Sequence, residues 1–192
     1  HPIDQKKIIQ MFDGMVDIEV NFSKSYADKI QELNKEVNAS LVEITQIYDS
    51  LRDNSKIIFN GPAGSGKTHI GIHAAKKNSL AGRQVLFTCY NKPLSLWLQN
   101  QLIDFENIEV RTFHSLHRKL MDECGIQYKS FDDNVKKLLD YLEVIQKDYD
   151  FIVIDELQDF HKDWITIIRA NCNENFKELM LCDYNQMIWP KH

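Results

Sequence analysis

Short apolar runs alternate with amphipathic stretches along the chain from Lys56 onward. The runs contain little polar alternation, which is typical of strands that are buried on both faces. Helical patterns between successive runs predict crossover connections, so we expect the strands to be mostly parallel. The pattern therefore predicts an α/β fold with a mostly parallel central sheet flanked by helices. The predicted strands are Ile57–Phe59, Val85–Cys89, Ile108–Val110, Phe151–Ile154 and Leu179–Cys182.

The N-terminal part of the chain has a helical pattern instead, with apolar residues on one face at Tyr26, Ile30, Leu33 and Val37. Ser40 and Glu43 then form a capping-box pattern that predicts the start of another helix. We expect a helical extension over 1–39, followed by the α/β domain over 40–192. The extension is either a separate appendage or a helix that packs on the core.

A polar stretch from Gln127 to Asp133 interrupts the alternation between the third and fourth predicted strands. It predicts a short helical insertion over about 117–149. The apolar stripe of this insertion consists of Val135, Leu138, Leu139 and Leu142.

The composition is that of an ordinary globular protein. Of 192 residues, 43% are apolar and 27% are charged, which excludes collagen-like and wholly disordered classes. No apolar run approaches the roughly 18 residues that a membrane span needs, and the start of the chain has no signal-peptide pattern. We therefore expect a cytoplasmic protein with no membrane partner. The four cysteines lack C-x-x-C spacing, which favours buried thiols over disulfides or zinc ligands.

A glycine-rich segment follows the first predicted strand directly and precedes a helical pattern. Its sequence matches G-x-x-x-x-G-K-[ST], in which backbone N–H groups and a lysine bind the phosphates of a nucleotide. The residues are Gly61, Pro62, Ala63, Gly64, Ser65, Gly66, Lys67 and Thr68. We expect ATP as the ligand, with Lys67 near its β and γ phosphates and the Thr68 hydroxyl on Mg²⁺.

Two carboxylates, Asp155 and Glu156, follow the fourth predicted strand. Ligands of parallel α/β sheets bind at the carboxyl ends of the strands, so these side chains are expected close to the phosphates. Asp155 is predicted to hold Mg²⁺ together with Thr68. Glu156 is predicted to orient and deprotonate the water that attacks the γ-phosphate. This pair favours hydrolysis over simple storage of the nucleotide.

Four further strings resemble motifs of superfamily 1 helicases of the UvrD/Rep type, in particular the branch often fused to a nuclease-related domain. They are the D-E-L-Q-D string Asp155–Asp159, Thr88–Lys92, the T-F-H-S segment within Arg111–Leu116, and Cys182–Trp189. The resemblance covers about Gln46 to Trp189. It implies that the α/β domain is the first RecA-like motor domain of such an enzyme.

The resemblance also implies roles for single residues. Gln46 would read adenine, and Gln186 would sense the γ-phosphate. Because the sequence stops just after the last motif, a second RecA-like domain of the parent chain would be a partner that is absent here. Residues expected along a single-stranded nucleic-acid path are Asn91, Lys92, Thr112, Phe113, His114 and Trp189.

The function expected from this resemblance is an ATP- and Mg²⁺-dependent helicase or translocase on single-stranded DNA, with RNA as the alternative. The enzyme would be an ATP hydrolase whose isolated first domain is weakly active. The net charge of −5 is compatible with one positive groove, although not with a basic surface overall. Two other functions stay open: a nucleotide-dependent switch or scaffold without unwinding activity, and a P-loop kinase of a small molecule.

Overall fold

Five parallel strands form one sheet in the computed structural model, which describes residues 39, 42–127 and 130–186. The order across the sheet is β1-β5-β4-β2-β3. The prediction of an α/β fold with a parallel sheet flanked by helices is confirmed. The strands are β1 (Lys56–Asn60), β2 (Val85–Cys89), β3 (Ile108–Thr112), β4 (Tyr149–Ile154) and β5 (Cys172–Cys182).

Helices connect the strands as the crossover pattern requires. A first helix, α1, spans 42–51, and short 3₁₀ turns follow β4 and β5 at Leu157–Asp159 and Tyr184–Gln186. The other helices are α2 (Lys67–Leu80), α3 (Lys92–Gln101), α4 (Phe113–Glu123), α5 (Phe131–Asp140) and α6 (Lys162–Ala170). Among the helices within the described ranges, none has the length and apolar character needed to cross a membrane.

The chain divides into two compact units, residues 1–43 and 44–192, and the sheet belongs to the second. The predicted helical extension over 1–39 lies outside the described residues apart from Ala39. The region predicted as a helical insertion contains the end of α4 and all of α5. Two residues of its predicted stripe, Val135 and Leu138, are buried in the core.

Two apolar layers cover the sheet, one on each face. Neighbouring strand residues point to opposite faces, so Phe87 packs in the layer that contains Ala74 of α2, whereas Leu86 packs in the layer that contains Leu120 of α4. This double burial explains why the strands read as continuous apolar runs. Three of the cysteines predicted to be buried thiols are buried and free: Cys89, Cys172 and Cys182.

Strand β5 is longer than the apolar run that predicted it. The run Leu179–Cys182 marks only the last part of the strand, which starts at Cys172 and carries a register shift against β4. Its Glu178 side chain is buried and accepts two hydrogen bonds of 2.8 Å from Arg169 of α6. Apolarity could not mark this part of the strand, because an ion pair satisfies the buried carboxylate there.

Candidate active site

The glycine-rich segment forms the loop between β1 and α2. Gly64 and Gly66 adopt φ angles of 77° and 85°, a left-handed conformation that residues with a Cβ rarely adopt. Gly66 is the N-cap of α2, and no side chain caps this helix end. The first turn of α2 contains no acidic residue. Its backbone N–H groups and positive helix dipole therefore form a site that favours an anion.

Lys67 lies folded over this loop rather than in solvent. Its side chain is buried, and Nζ donates to the carbonyl oxygens of Gly61 at 2.7 Å and Pro62 at 3.0 Å. Within the described part of the chain, no carboxylate lies at ion-pair distance from Lys67. A buried ammonium group without a carboxylate partner is electrostatically suited to bind phosphate.

Asp155 lies directly beside the loop. Its Oδ2 accepts a 2.8 Å hydrogen bond from the Thr68 hydroxyl, and its Oδ1 accepts one of 3.0 Å from the Glu156 N–H. The carboxylate is fully buried, and this burial raises its pKa to about 6 against the Thr68 hydrogen bond that lowers it. A bound cation would supply the missing counter-charge. Hydroxyl and carboxylate oxygens are ligands that Mg²⁺ prefers, so Thr68 and Asp155 fit this ion.

Glu156 follows at a sharp turn between β4 and the first 3₁₀ turn. It adopts φ 56° and ψ 50°, the one positive φ among the non-glycine residues that the structure describes. Such strain is commonly found where the surrounding structure fixes a functional side chain. The Glu156 carboxylate accepts a hydrogen bond from the Gln158 amide, so the turn holds it in a defined orientation.

The sheet topology explains how two distant segments meet. Strand β5 lies between β1 and β4, and it pairs with both in parallel. The loops that follow β1 and β4 therefore leave the sheet at the same edge. The Thr68–Asp155 hydrogen bond joins them across 87 positions of the sequence. The structure thus brings together the predicted phosphate, metal and hydrolytic residues.

A separate cavity of about 340 Å³ lies at the carboxyl ends of β2 and β3. We name it the basic cleft. It contains Lys92, Thr112 and His114 of the predicted nucleic-acid residues. Arg111 and Arg118 also line the cleft, although the sequence analysis gave them no role. The sequence feature that could have identified Arg118 is its four-residue spacing from His114, which puts both on one face of α4. Its other lining residues are Ser95, Leu96, Gln99 and Ser115.

Two predicted contact residues have structural roles at helix starts. Asn91 is the N-cap of α3, where its side chain accepts from the Leu94 N–H at 3.4 Å. Thr112 is the N-cap of α4 and accepts from the Ser115 N–H at 3.2 Å. Such caps satisfy backbone donors that the helix itself leaves unpaired.

Phe113 is placed differently from the prediction. Its side chain is fully buried and stacks on Trp164 with ring centroids 4.4 Å apart. Its ring therefore has no free face on which a base could stack, and a contact of Phe113 with nucleic acid stays a prediction. The neighbouring His114 is exposed and stacks on Phe131 at 4.7 Å. Although the side chain is exposed overall, partial desolvation of its ring lowers the pKa of His114, which favours its neutral form.

The remaining predicted residues lie on other elements. Gln46 is exposed on α1, and its contact with adenine stays a prediction. Gln186 is exposed in the 3₁₀ turn after β5, where its N–H donates to the Asp183 carbonyl at 3.0 Å. Trp189 lies outside the described residues.

A family model described as IstB-like ATP binding protein matches residues 17–167, which is more than half of the chain. The chain belongs to this family. The match contains both the Gly61–Thr68 loop and the Asp155–Glu156 strand end, so ATP is the nucleotide that the family assigns to this site. No curated protein matches the sequence.

This family assignment corrects the resemblance to superfamily 1 helicases, which was wrong. The chain is an IstB-like ATP binding protein, and the family match gives no support to a helicase. In this structure Thr112 caps α4 and Phe113 fills the core, and neither role depends on nucleic acid. The phosphate loop and acidic strand end serve nucleotide chemistry and do not specify unwinding.

Proposed function

We propose that this IstB-like ATP binding protein hydrolyses ATP in a Mg²⁺-dependent reaction at the Thr68–Asp155 site. The observation that carries the proposal is the hydrogen bond between these two side chains, because it puts an oxygen-rich cation site beside an anion-binding loop. A small-molecule kinase would need the same loop. The adjacent Glu156 favours water as the acceptor, since its carboxylate can take a proton from water.

The loop and Lys67 have the first role in the proposed reaction. The backbone N–H groups at the start of α2 would donate to phosphate oxygens. Lys67 would exchange its bonds to the Gly61 and Pro62 carbonyls for bonds to the β and γ phosphates. The ammonium group is already held at the loop, so little reorganisation is needed when the nucleotide binds.

The carboxylates have the second role. Thr68 and Asp155 would hold Mg²⁺, which when bound neutralises charge on the β and γ phosphates. Glu156 would accept a proton from the attacking water while the water oxygen forms a bond to the γ-phosphorus. The bond from that phosphorus to the bridging oxygen breaks, and ADP and phosphate leave. The negative charge that develops on the phosphate is stabilised by Lys67 and the α2 N–H groups.

Lys67→Ala tests this proposal directly. We expect ATP affinity, measured by calorimetry with Mg²⁺ present, to fall about 10- to 100-fold, because charge-assisted hydrogen bonds to the phosphates are lost. Mg²⁺-dependent turnover is expected to fall with it, and EDTA to abolish turnover of the unchanged chain. Lys76→Ala, in the C-terminal half of the same helix, is the control and is expected to bind ATP normally. Unchanged affinity and turnover in Lys67→Ala would contradict the assignment.

We also propose that the basic cleft binds the backbone of single-stranded DNA, with RNA as the alternative ligand. Three cationic side chains in the cleft support this proposal, because the protein is acidic overall. They are Lys92, Arg111 and Arg118. Arg111 is paired with Glu109, whereas no carboxylate among the described residues pairs with Lys92 or Arg118. The exposed His114 ring offers a surface on which a base can stack.

The salt dependence of binding tests the cleft. We expect log affinity for a labelled single strand to fall linearly with log salt, by about 0.7 per phosphate contacted. Lys92→Gln and Arg118→Gln are each expected to reduce this slope by about that amount. Lys136→Gln, an exposed lysine of α5 outside the cleft, is expected to leave the slope unchanged. Fluorescence anisotropy with DNA and RNA strands gives the measurement, and equal slopes in all variants would contradict the proposal.

A further inference from the structure

Gln158 is a buried polar residue to which the sequence analysis assigned no individual role. Only 4% of its surface is exposed. Its Nε2 donates to the Glu156 carboxylate, and its Oε1 accepts a 3.1 Å hydrogen bond from the Asp183 N–H. Both ends of the amide are therefore used, and they join the hydrolytic carboxylate to the residue that follows β5.

Chemistry fixes the orientation of this amide. A carboxylate can only accept, so it needs the NH₂ end, and a backbone N–H can only donate, so it needs the carbonyl end. An amide of this length satisfies both at once. A glutamate at this position could accept from the Asp183 N–H, but it has no donor for the Glu156 carboxylate and would face it with a like charge.

The Asp183 end of this connection leads to the phosphate loop. Asp183 follows Cys182 directly, and the Cys182 carbonyl accepts a 3.1 Å hydrogen bond from the Gly61 N–H at the start of the loop. Cys182 at the end of β5 and Asp183 after it thus connect the Gln158 amide to the backbone that would hold the phosphates. These bonds fix the position of the Glu156 carboxylate relative to the phosphate loop.

The backbone of Glu156 makes this connection necessary. A left-handed conformation is unfavourable for a residue with a Cβ, and the side chain leaves the backbone in a direction that its neighbours must fix. The turn itself fixes the backbone through the Asp159 N–H, which donates to the Glu156 carbonyl at 2.9 Å. Gln158 is the described side chain that donates to the carboxylate.

We propose that Gln158 is the positioning residue of the hydrolytic site: its amide holds the Glu156 carboxylate at a fixed place relative to the bound γ-phosphate. This inference rests on the proposed function of Glu156. Gln158 touches neither water nor nucleotide in this role. It acts through Glu156, and the bond to Asp183 makes the position of that carboxylate depend on the loop.

Gln158→Glu separates positioning from support of the fold. It keeps the size of the side chain and the acceptor for the Asp183 N–H, but it replaces the donor to Glu156 by a like charge. We expect kcat for ATP hydrolysis to fall about 100-fold, as a displaced catalytic group predicts, with KM for ATP unchanged. The buried like charge is expected to lower the melting temperature, so kcat is measured at a temperature at which circular dichroism shows the variant to be folded. Gln158→Met, uncharged and of similar length, repeats the test if the glutamate variant does not fold, and the same fall in kcat is expected.

A double-mutant cycle with Glu156→Gln makes the assignment specific. Once Glu156 is replaced, Gln158→Glu is expected to cause no further loss of kcat. Losses that multiply, or a change that appears in KM alone, would overturn the positioning role. If Glu156→Gln lowers kcat and the Gln158 variants do not, the inference fails while the proposed function stands. If Glu156→Gln leaves kcat unchanged, the proposed function of Glu156 fails, and the inference falls with it.

Discussion

Glu156→Gln is expected to lower the rate of ATP hydrolysis by about 10²- to 10⁴-fold and to leave ATP affinity nearly unchanged. Glutamine has almost the same shape as glutamate and can still accept the hydrogen bond from Gln158. It cannot take a proton from water, so the attacking nucleophile is no longer activated. Because the loop, Lys67 and Asp155 are untouched, the phosphates and Mg²⁺ keep their partners.

Single-turnover phosphate release and calorimetric titration with ATP measure the two quantities separately. Glu143→Gln removes an equal charge from an exposed position near the end of α5 and is the matched control. The control is expected to hydrolyse ATP at the rate of the unchanged chain. A Glu156→Gln variant that still hydrolyses ATP at that rate would show that another group activates the water.

Parallel strands could be predicted from the sequence because both of their faces are buried. Four of the five apolar runs, such as Val85–Cys89, lie within strands that extend beyond them by at most two residues at either end. Strand β5 could not be delimited in this way. Its first half is polar, and its buried Glu178 depends on Arg169 of another element, a pairing that no local pattern contains.

The loop and the strand end that carry the candidate phosphate and metal residues could be located in the sequence, because the chemistry proposed for them requires fixed spacing within one loop or one strand end. The bonds that unite them could not be predicted, since they join segments far apart in the sequence. Gln158 and Asp183 are 25 positions apart, and Thr68 and Asp155 are 87 apart. Only the order of the strands brings each pair together.

The residues that the helicase resemblance assigned to nucleic acid fall into two groups, those that line the basic cleft and those that do not. Lys92, Thr112 and His114 do surround one cleft, because β2 and β3 end at the same edge of the sheet. Phe113 belongs to the core instead. In α4, whose N-cap is Thr112, a side chain on the inner face fills the interior whatever motif it matches.

In the metal-free chain, the buried Asp155 carboxylate makes the stability of the fold depend on pH. Burial raises its folded pKa to about 6, above the ordinary value of 3.8 that applies after unfolding. The folded state therefore holds the proton more tightly, and this contribution favours the folded state most at low pH. It is lost as the pH rises from about 4 to about 6, and above that range the buried charge destabilises the fold. The difference of about 2 pKa units corresponds to about 3 kcal/mol.

Asp155→Asn is accordingly expected to raise the free energy of unfolding of the metal-free chain at about pH 7, by up to about 3 kcal/mol. The amide is neutral at every pH, and the Thr68 hydroxyl can turn to accept from it where it now donates to the carboxylate. Urea denaturation in EDTA measures the effect. Near pH 4 the variant and the unchanged chain are expected to have similar stability, because Asp155 is then protonated in the folded state.

Mg²⁺ and nucleotide are expected to reverse this order. The ion stabilises the folded state that binds it, so MgATP is expected to raise the melting temperature of the unchanged chain and to have a much smaller effect on Asp155→Asn. ATP hydrolysis is expected to be lost in the same variant, since its proposed Mg²⁺ site lacks the carboxylate. Asp163→Asn, at a half-buried aspartate in the first turn of α6, is the control for loss of one carboxylate elsewhere. An Asp155→Asn variant that is less stable than the unchanged chain without metal would show that the carboxylate already has a compensating partner. An equal MgATP-induced rise in the melting temperature of both would remove Asp155 from the proposed metal site.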